Sequence, residues 1–149
     1  MAQIERTIEI SADRAAVWAA VADLEKVAQW NPNISSATCG EGTAGVGARR
    51  TCHLSEGGHI DEVVSQWDEG HGLAFAIGSH GGIRSADMAM ALRSLGDSTR
   101  VTAVADYHLA FGPLGPVIDR VKVKRQMGRM LDSALVGLKE HVEAQANLG

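Results

Sequence analysis

The sequence predicts one α+β domain, in which an antiparallel sheet packs against a single long helix at the C-terminal end. Three observations lead to this fold class. Apolar and polar residues alternate near the N-terminus and in several later segments, glycine-containing turns divide the middle of the chain into short pieces, and the last third carries one amphipathic helical stripe. Strands joined by such short turns must be antiparallel, because a parallel pair needs a long crossover.

The N-terminal third reads as one strand followed by two short helices. Isoleucines at alternate positions predict a strand over Ala2–Ile10. Ser11 is the predicted N-cap of a helix over Asp13–Ala22, which is rich in alanine and has apolar residues at helical spacing. Asp23 is a suitable cap for a second short helix from Leu24 to about Gln29.

The middle of the chain reads as six further strands without a long helical pattern. The predicted strands are Ile34–Cys39, Ala48–Ser55, His59–Trp67, Leu73–Ser79, Arg84–Leu95 and Thr99–Leu109. Alternation is clearest in the last two. One face of each is apolar, with Ala86, Met88, Met90 and Leu92 on the first and Val101, Ala103, Ala105, Tyr107 and Leu109 on the second.

The C-terminal segment predicts one long helix. Phe111–Pro116 reads as a loop, and Pro116 suits the first helical turn. From there to about Ala146 only Gly128 and Gly137 weaken the helical pattern. The apolar stripe consists of Met127, Met130, Leu131, Ala134, Leu135, Leu138 and Val142. The sheet is the only large apolar partner against which this stripe can be buried.

Composition excludes several classes of protein. Hydrophobic residues make up 45% and charged residues 21% of the chain, as in a folded domain rather than a disordered one. The net charge of −4 disfavours a nucleic-acid binder. A local basic run is predicted to be a solvated helix face; it comprises Arg120, Lys122, Lys124, Arg125 and Arg129. There is no apolar run of membrane-spanning length and no secretory signal, so we expect a cytoplasmic protein without stable membrane insertion. Cys39 and Cys52 are predicted to be free thiols.

Three stretches of the chain resemble a known superfamily. The first runs from Ile8 to Asp23 and continues to the corner Trp30-Asn31-Pro32, the second is Glu62–Asp68, and the third is Gly112–Pro116 leading into the basic start of the last helix. Together with the order of elements, they make the chain resemble the START-like or SRPBCC superfamily. Within it, the chain is most similar to the polyketide cyclase/dehydrase and lipid-transport proteins.

This resemblance implies a helix-grip fold, with a curved seven-stranded antiparallel sheet wrapped around the long C-terminal helix. It also implies a hydrophobic cavity between sheet and helix within a single domain over residues 1–149. It does not imply one function, because lipid carriers, metabolite binders, aromatase/cyclases and oxygenase domains share the fold.

No dedicated catalytic set is visible in the sequence. The six histidines have no paired metal-ligand spacing, so neither a metal nor a cofactor is predicted. Nucleophile-elbow and phosphate-loop motifs are missing as well. General acid–base chemistry stays open through Asp61, Glu62, Asp106, Tyr107 and His108, which lie on strands that could border the cavity. Of these, only Tyr107 is predicted to be a polar group that points inward; Asp106 and His108 alternate to the opposite face.

The primary functional expectation is the binding of a small hydrophobic molecule that resembles a lipid, a polyketide or an isoprenoid. The residues predicted to line the cavity are Trp30, Trp67, Met88, Met90, Leu92, Ala103, Ala105, Tyr107, Met127, Met130, Leu131 and Ala134. A polyketide cyclase or dehydratase is the alternative, so enzymatic activity stays undecided, and a non-catalytic interaction module is a second alternative. A homodimer is left open.

Overall fold

The computed structural model describes residues 2–40, 42–110 and 117–148, with the side chains of the last helix described from residue 120 on. The helices are α1 (Arg14–Ala22), a short 3-10 helix (Leu24–Gln29) and α2 (Val117–Leu148). The strands are β1 (Ala2–Ile10), β2 (Ile34–Cys39), β3 (Arg49–Leu54), β4 (His59–Asp68), β5 (Gly72–Ile77), β6 (Ile83–Ser94) and β7 (Thr99–Leu109).

The seven strands form one antiparallel sheet in the order β1-β7-β6-β5-β4-β3-β2. The predicted bounds of β1, β2 and β7 are those observed, and the other predicted strands end within one or two residues of the observed ones. The predicted loop Phe111–Pro116, including Pro116, lies outside the described residues.

Helix α2 is held between the two edges of the sheet. On the β1 side, the Lys139 ammonium donates a hydrogen bond of 3.0 Å to the Glu9 carbonyl. On the β2 side, the Asn33 side-chain amide donates to the Met130 carbonyl at 2.9 Å and to the Ser133 hydroxyl at 3.2 Å. Contact with both edge regions requires the sheet to curve around the helix, which confirms the helix-grip fold.

The start of α1 differs from the expectation. Asp13, not Ser11, is the N-cap: its backbone is extended and its carboxylate accepts a hydrogen bond of 2.8 Å from the Ala16 N–H. Asp23 does precede the 3-10 helix, but its side chain makes no capping hydrogen bond. Its carboxylate instead lies 3.7 Å from the Lys26 ammonium.

Helix α1 closes one end of the sheet. The Trp18 ring packs edge-on against Trp67, with ring centroids 5.1 Å apart, and Glu69 accepts a hydrogen bond from each indole N–H. The fully buried Thr99 hydroxyl donates to the Ala12 carbonyl just before the helix. We call this the α1 end of the sheet; the opposite end is where β7 ends and where α2 begins.

Candidate ligand site on the concave sheet face

The predicted site residues of β6 and β7 lie side by side on the concave face. Met88 pairs with Ala105, and Met90 pairs with Ala103. On the other side of β6, Phe75 pairs with Met88. Small side chains on β7 therefore stand next to long, flexible ones on β6, and methionine adapts its shape to whatever packs against it.

The inward side chains nearest α1 are fully buried, whereas the last inward side chains at the opposite end are not. Near α1, Thr99, Val101 and Leu92 are at most 5% exposed. At the far end, the inward side chains are only half-buried, although they pack against the core; they are Ile60, Ile77, Ile83 and Leu109. The last inward side chains at the end opposite α1 are therefore partly exposed, and we call this end the open end.

The structure separates the predicted site residues into three groups. Buried among the core are Leu92, Ala103, Ala105, Tyr107 and Leu131, whereas Met88, Met90, Met127 and Ala134 are half-buried and pack against it. Met130 is half-buried on the side of α2 where its carbonyl accepts a hydrogen bond from Asn33. Trp67 lies at the α1 end against Trp18. Trp30 lies in the corner before β2, where its carbonyl faces Gly137 of α2. Trp67 shares a row of the sheet with Met90, with Leu73 between them.

A groove of about 620 Å³ runs between this corner and α2. It is lined by Ala28, Gln29, Trp30, Pro32, Ser133, Val136, Gly137, Glu140 and His141. Val136 is 47% exposed, so the groove lies on a different side of α2 from the buried stripe. Trp30 is the one predicted site residue among its lining residues.

A buried ion pair lies on the concave face, where Tyr107 was expected to be alone as an inward polar group. That expectation is wrong. The guanidinium of Arg50 lies 3.0 Å from the carboxylate of Glu62, and both side chains are more than nine-tenths buried. Arg50 also donates to the Leu24 carbonyl at 3.0 Å and stacks over the Phe75 ring, 4.5 Å from its centroid. These contacts satisfy the guanidinium and explain how a charge is tolerated there.

Cys52 completes this polar cluster. Its thiol donates a hydrogen bond of 2.9 Å to the Glu62 carboxylate. Burial, the negative charge of Glu62 and this hydrogen bond all raise the pKa of the Cys52 thiol. Alternation along β3 could have revealed the cluster, because Ala48 and Cys52 face the core and Arg50 lies between them on the same face.

Tyr107 lies on the same row of the sheet as the ion pair. The row runs from Arg50 through Glu62, Ile77 and Ala86 to Tyr107. Three strand spacings separate Glu62 from Tyr107, a distance of about 14 Å. Tyr107 is 2% exposed, and its burial raises the pKa of its hydroxyl; no described residue forms a hydrogen bond with that hydroxyl.

The other acid–base candidates lie elsewhere. Asp61 is exposed on the outer face, where its carboxylate accepts a hydrogen bond from Thr51. Asp106 accepts a hydrogen bond from the Gln3 side chain. Asp106 and His108 flank the buried Tyr107 along β7, so both lie on the opposite face of the strand. Only Glu62 and Tyr107 of the five candidates face the core.

In the described part of the chain, no three histidine, cysteine or acidic side chains are arranged to hold a metal ion. None of the described helices has the length and apolar character needed to cross a membrane. Cys39 and Cys52 are free thiols, as predicted.

Comparison with protein families gives a match over almost the whole chain. The family described as polyketide cyclase / dehydrase and lipid transport matches residues 1–143. A comparison with curated protein sequences gives no match.

Solved structures with this fold include proteins of several kinds. The Zhui aromatase/cyclase from a Streptomyces species superposes with a TM-score of 0.84 at 16% identity, covering 97% of this chain and 95% of its own. The protein TTHA0849 from Thermus thermophilus gives 0.78 at 21% identity, covering 97% and 99%. A START superfamily protein from Mycobacterium smegmatis gives 0.70 at 16% identity, covering 98% and 97%. At such identities the likeness concerns the fold.

Proposed function

Because the chain belongs to the polyketide cyclase/dehydrase and lipid transport family, we propose that it binds a small hydrophobic molecule between the concave sheet face and α2. The ligand class is a lipid-like, polyketide-like or isoprenoid-like molecule. Its apolar body would lie against β6 and β7.

The observation that carries this proposal is the incomplete burial of Met88 and Met90. Both point to the concave face between fully buried neighbours, yet both are only half-buried. A filled core covers such side chains completely, since protein interiors are close-packed. Apolar side chains that stay accessible on a concave surface are typical of a ligand site.

Binding can be tested with an apolar fluorescent probe, N-phenyl-1-naphthylamine, and a variant that fills the space. Ala103 is 2% exposed and stands opposite Met90, so Ala103→Phe should place a ring where the ligand lies and lower probe affinity at least tenfold. Ala91→Phe is the matched control, because Ala91 is exposed on the outer face of β6. Equal probe binding by both variants, or none by the parent protein, would contradict the proposal.

Native mass spectrometry gives an independent test. Protein purified under mild conditions should carry a co-purifying apolar molecule, which the Ala103→Phe variant should lose. Absence of any bound molecule after incubation with a mixed lipid extract counts against the binding function.

A cyclase or dehydratase activity is the second candidate, and one observation favours it. The Tyr107 hydroxyl faces the core without a hydrogen-bond partner among the described residues, so it is available to a ligand carbonyl. If the protein only binds, Tyr107→Phe should cost about 0.5–1.5 kcal/mol of affinity, the net value of one hydrogen bond. A hundredfold loss of turnover in a cyclisation or dehydration assay would instead establish the enzyme.

A further inference from the structure

One lysine lies on the sheet-facing stripe of α2. Lys124 precedes Leu131 by seven residues and Leu138 by fourteen, so the three side chains lie on nearly the same side of the helix. Leu131 and Leu138 are 5% and 0% exposed, whereas Lys124 is exposed. The helix face that is buried further along is therefore uncovered at Lys124.

This uncovered part of α2 lies at the open end of the sheet. Helix α2 begins after β7, whose last residue is the half-buried Leu109, and it runs towards the α1 end, where Glu143 accepts a hydrogen bond from the Ser11 N–H. Of the apolar residues on this side of α2, Leu131, Leu135, Leu138 and Val142 are buried, whereas Val123 and Met127, nearer the start of the helix, are half-buried. Lys124 thus lies on the part of α2 that is nearest the open end.

Several other charged side chains around this space have partners. Arg50 and Glu62 neutralise each other inside, and Arg6, on the inward side of β1, pairs with Asp132 at 3.1 Å. Arg120 is half-buried and has a partner of its own. Lys124 forms no ion pair with any residue that the structure describes. An anionic group would be costly deep in the apolar space, but beside Lys124 it would keep both water and a counter-charge.

We propose that the ligand is a single-chain amphiphile with an anionic end group, a carboxylate or a phosphate. Its apolar chain lies against the concave face, and its anionic end pairs with Lys124 at the open end. This inference rests on the proposed binding function and adds the chemical class and the orientation of the ligand.

The test compares three ligands of equal chain length by displacement of N-phenyl-1-naphthylamine: dodecanoate, dodecyl phosphate and 1-dodecanol. Lys124→Gln should weaken the binding of the anions roughly two- to fivefold, the range of one exposed ion pair, and leave 1-dodecanol unchanged. Lys124→Glu should weaken the anions further, on the order of tenfold, and 1 M salt should abolish the difference between parent and variants.

Lys122→Gln is the matched control. Lys122 is also exposed, but it lies about 160° around the helix from Lys124, so its removal should change no affinity. The relative loss for dodecanoate and dodecyl phosphate identifies which anion the site prefers. Suppose that all proteins bind the probe, and that the Lys124 variants bind the anions as tightly as the parent protein does, with no difference from the alcohol. This result would overturn the inference and leave the binding function intact. A parent protein that binds neither probe nor amphiphile would overturn both.

Discussion

At Gly137, α2 approaches the corner formed by Trp30 and Pro32 closely. A Cβ atom built on it would lie 2.0 Å from the Trp30 carbonyl oxygen and 3.0 Å from Pro32 Cδ. Ordinary Cβ contacts begin at 3.4 Å, so Gly137→Ala must move the corner away from the helix by about 1.4 Å. Both partners are backbone or a rigid ring, which cannot turn aside as the end of a flexible side chain can.

The loss of stability in Gly137→Ala follows from the contacts that this movement of the corner disturbs. Overpacking of this kind costs about 1–3 kcal/mol. The hydrogen bonds from Asn33 to Met130 and Ser133 cross the same joint, and weakening them costs about 1 kcal/mol each. Because alanine has a higher helix propensity than glycine, the substitution also stabilises α2 by about 1 kcal/mol. We therefore expect Gly137→Ala to lower the free energy of unfolding by about 2–4 kcal/mol.

The chain offers a matched control on the same helix. A Cβ on Gly128 would meet only the guanidinium of Arg6, whose side chain is 43% exposed and can rotate away. Gly128→Ala should therefore change the free energy of unfolding by no more than about 1 kcal/mol, in either direction, because helix propensity offsets a weakened surface ion pair.

Urea denaturation followed by circular dichroism measures both variants. For a domain of this size, each kcal/mol moves the melting temperature by about 2–4 °C, so thermal melts should separate them clearly. If Gly137→Ala is as stable as Gly128→Ala, the corner does not press on the helix as described, and the close approach at Gly137 is not what holds the β2 edge to α2.

Three further predictions concern the core, the thiols and pH. Leu131→Asp should cost several kcal/mol because it buries an unpaired charge, whereas Val136→Asp, at a site 47% exposed on the same helix, should cost less than about 1 kcal/mol; urea denaturation compares them. Cys52 should stay unmodified by a thiol reagent at pH 8 in the folded protein, because its thiol is buried and its pKa is raised, while the less buried Cys39 should react first; equal labelling rates would refute this. The Lys139 hydrogen bond lowers the pKa of Glu143 from its ordinary 4.5, so the stabilisation from this group is present at neutral pH and is lost as pH falls from about 4.5 through the lowered pKa; Glu143→Gln should be destabilising at pH 7, by less than about 1 kcal/mol, and progressively less so as the pH is lowered through this range.

The regular elements were predictable because local pattern determines them. Alternation placed Tyr107, Ala105 and Ala103 on one face of β7, and the structure buries all three. The same local reasoning was wrong at Ser11, because a serine and an aspartate two residues apart are both good caps and the sequence alone does not choose between them; in the structure Asp13 caps the helix. It also overlooked the inward side of Arg50, although Arg50 alternates with the buried Ala48 and Cys52 on one face of the strand.

The sequence by itself determined the fold class, the order of elements and the apolar stripe of α2, because the periods of strands and helices are properties of neighbouring residues. Only the tertiary structure decided which end of the concave face is partly exposed, that Glu62 is neutralised by Arg50, and that Lys124 is exposed on the side of α2 where Leu131 and Leu138 are buried. These features depend on the curvature of the sheet and on the position of α2 along it. They arise from contacts between residues distant in the chain, which no local pattern encodes.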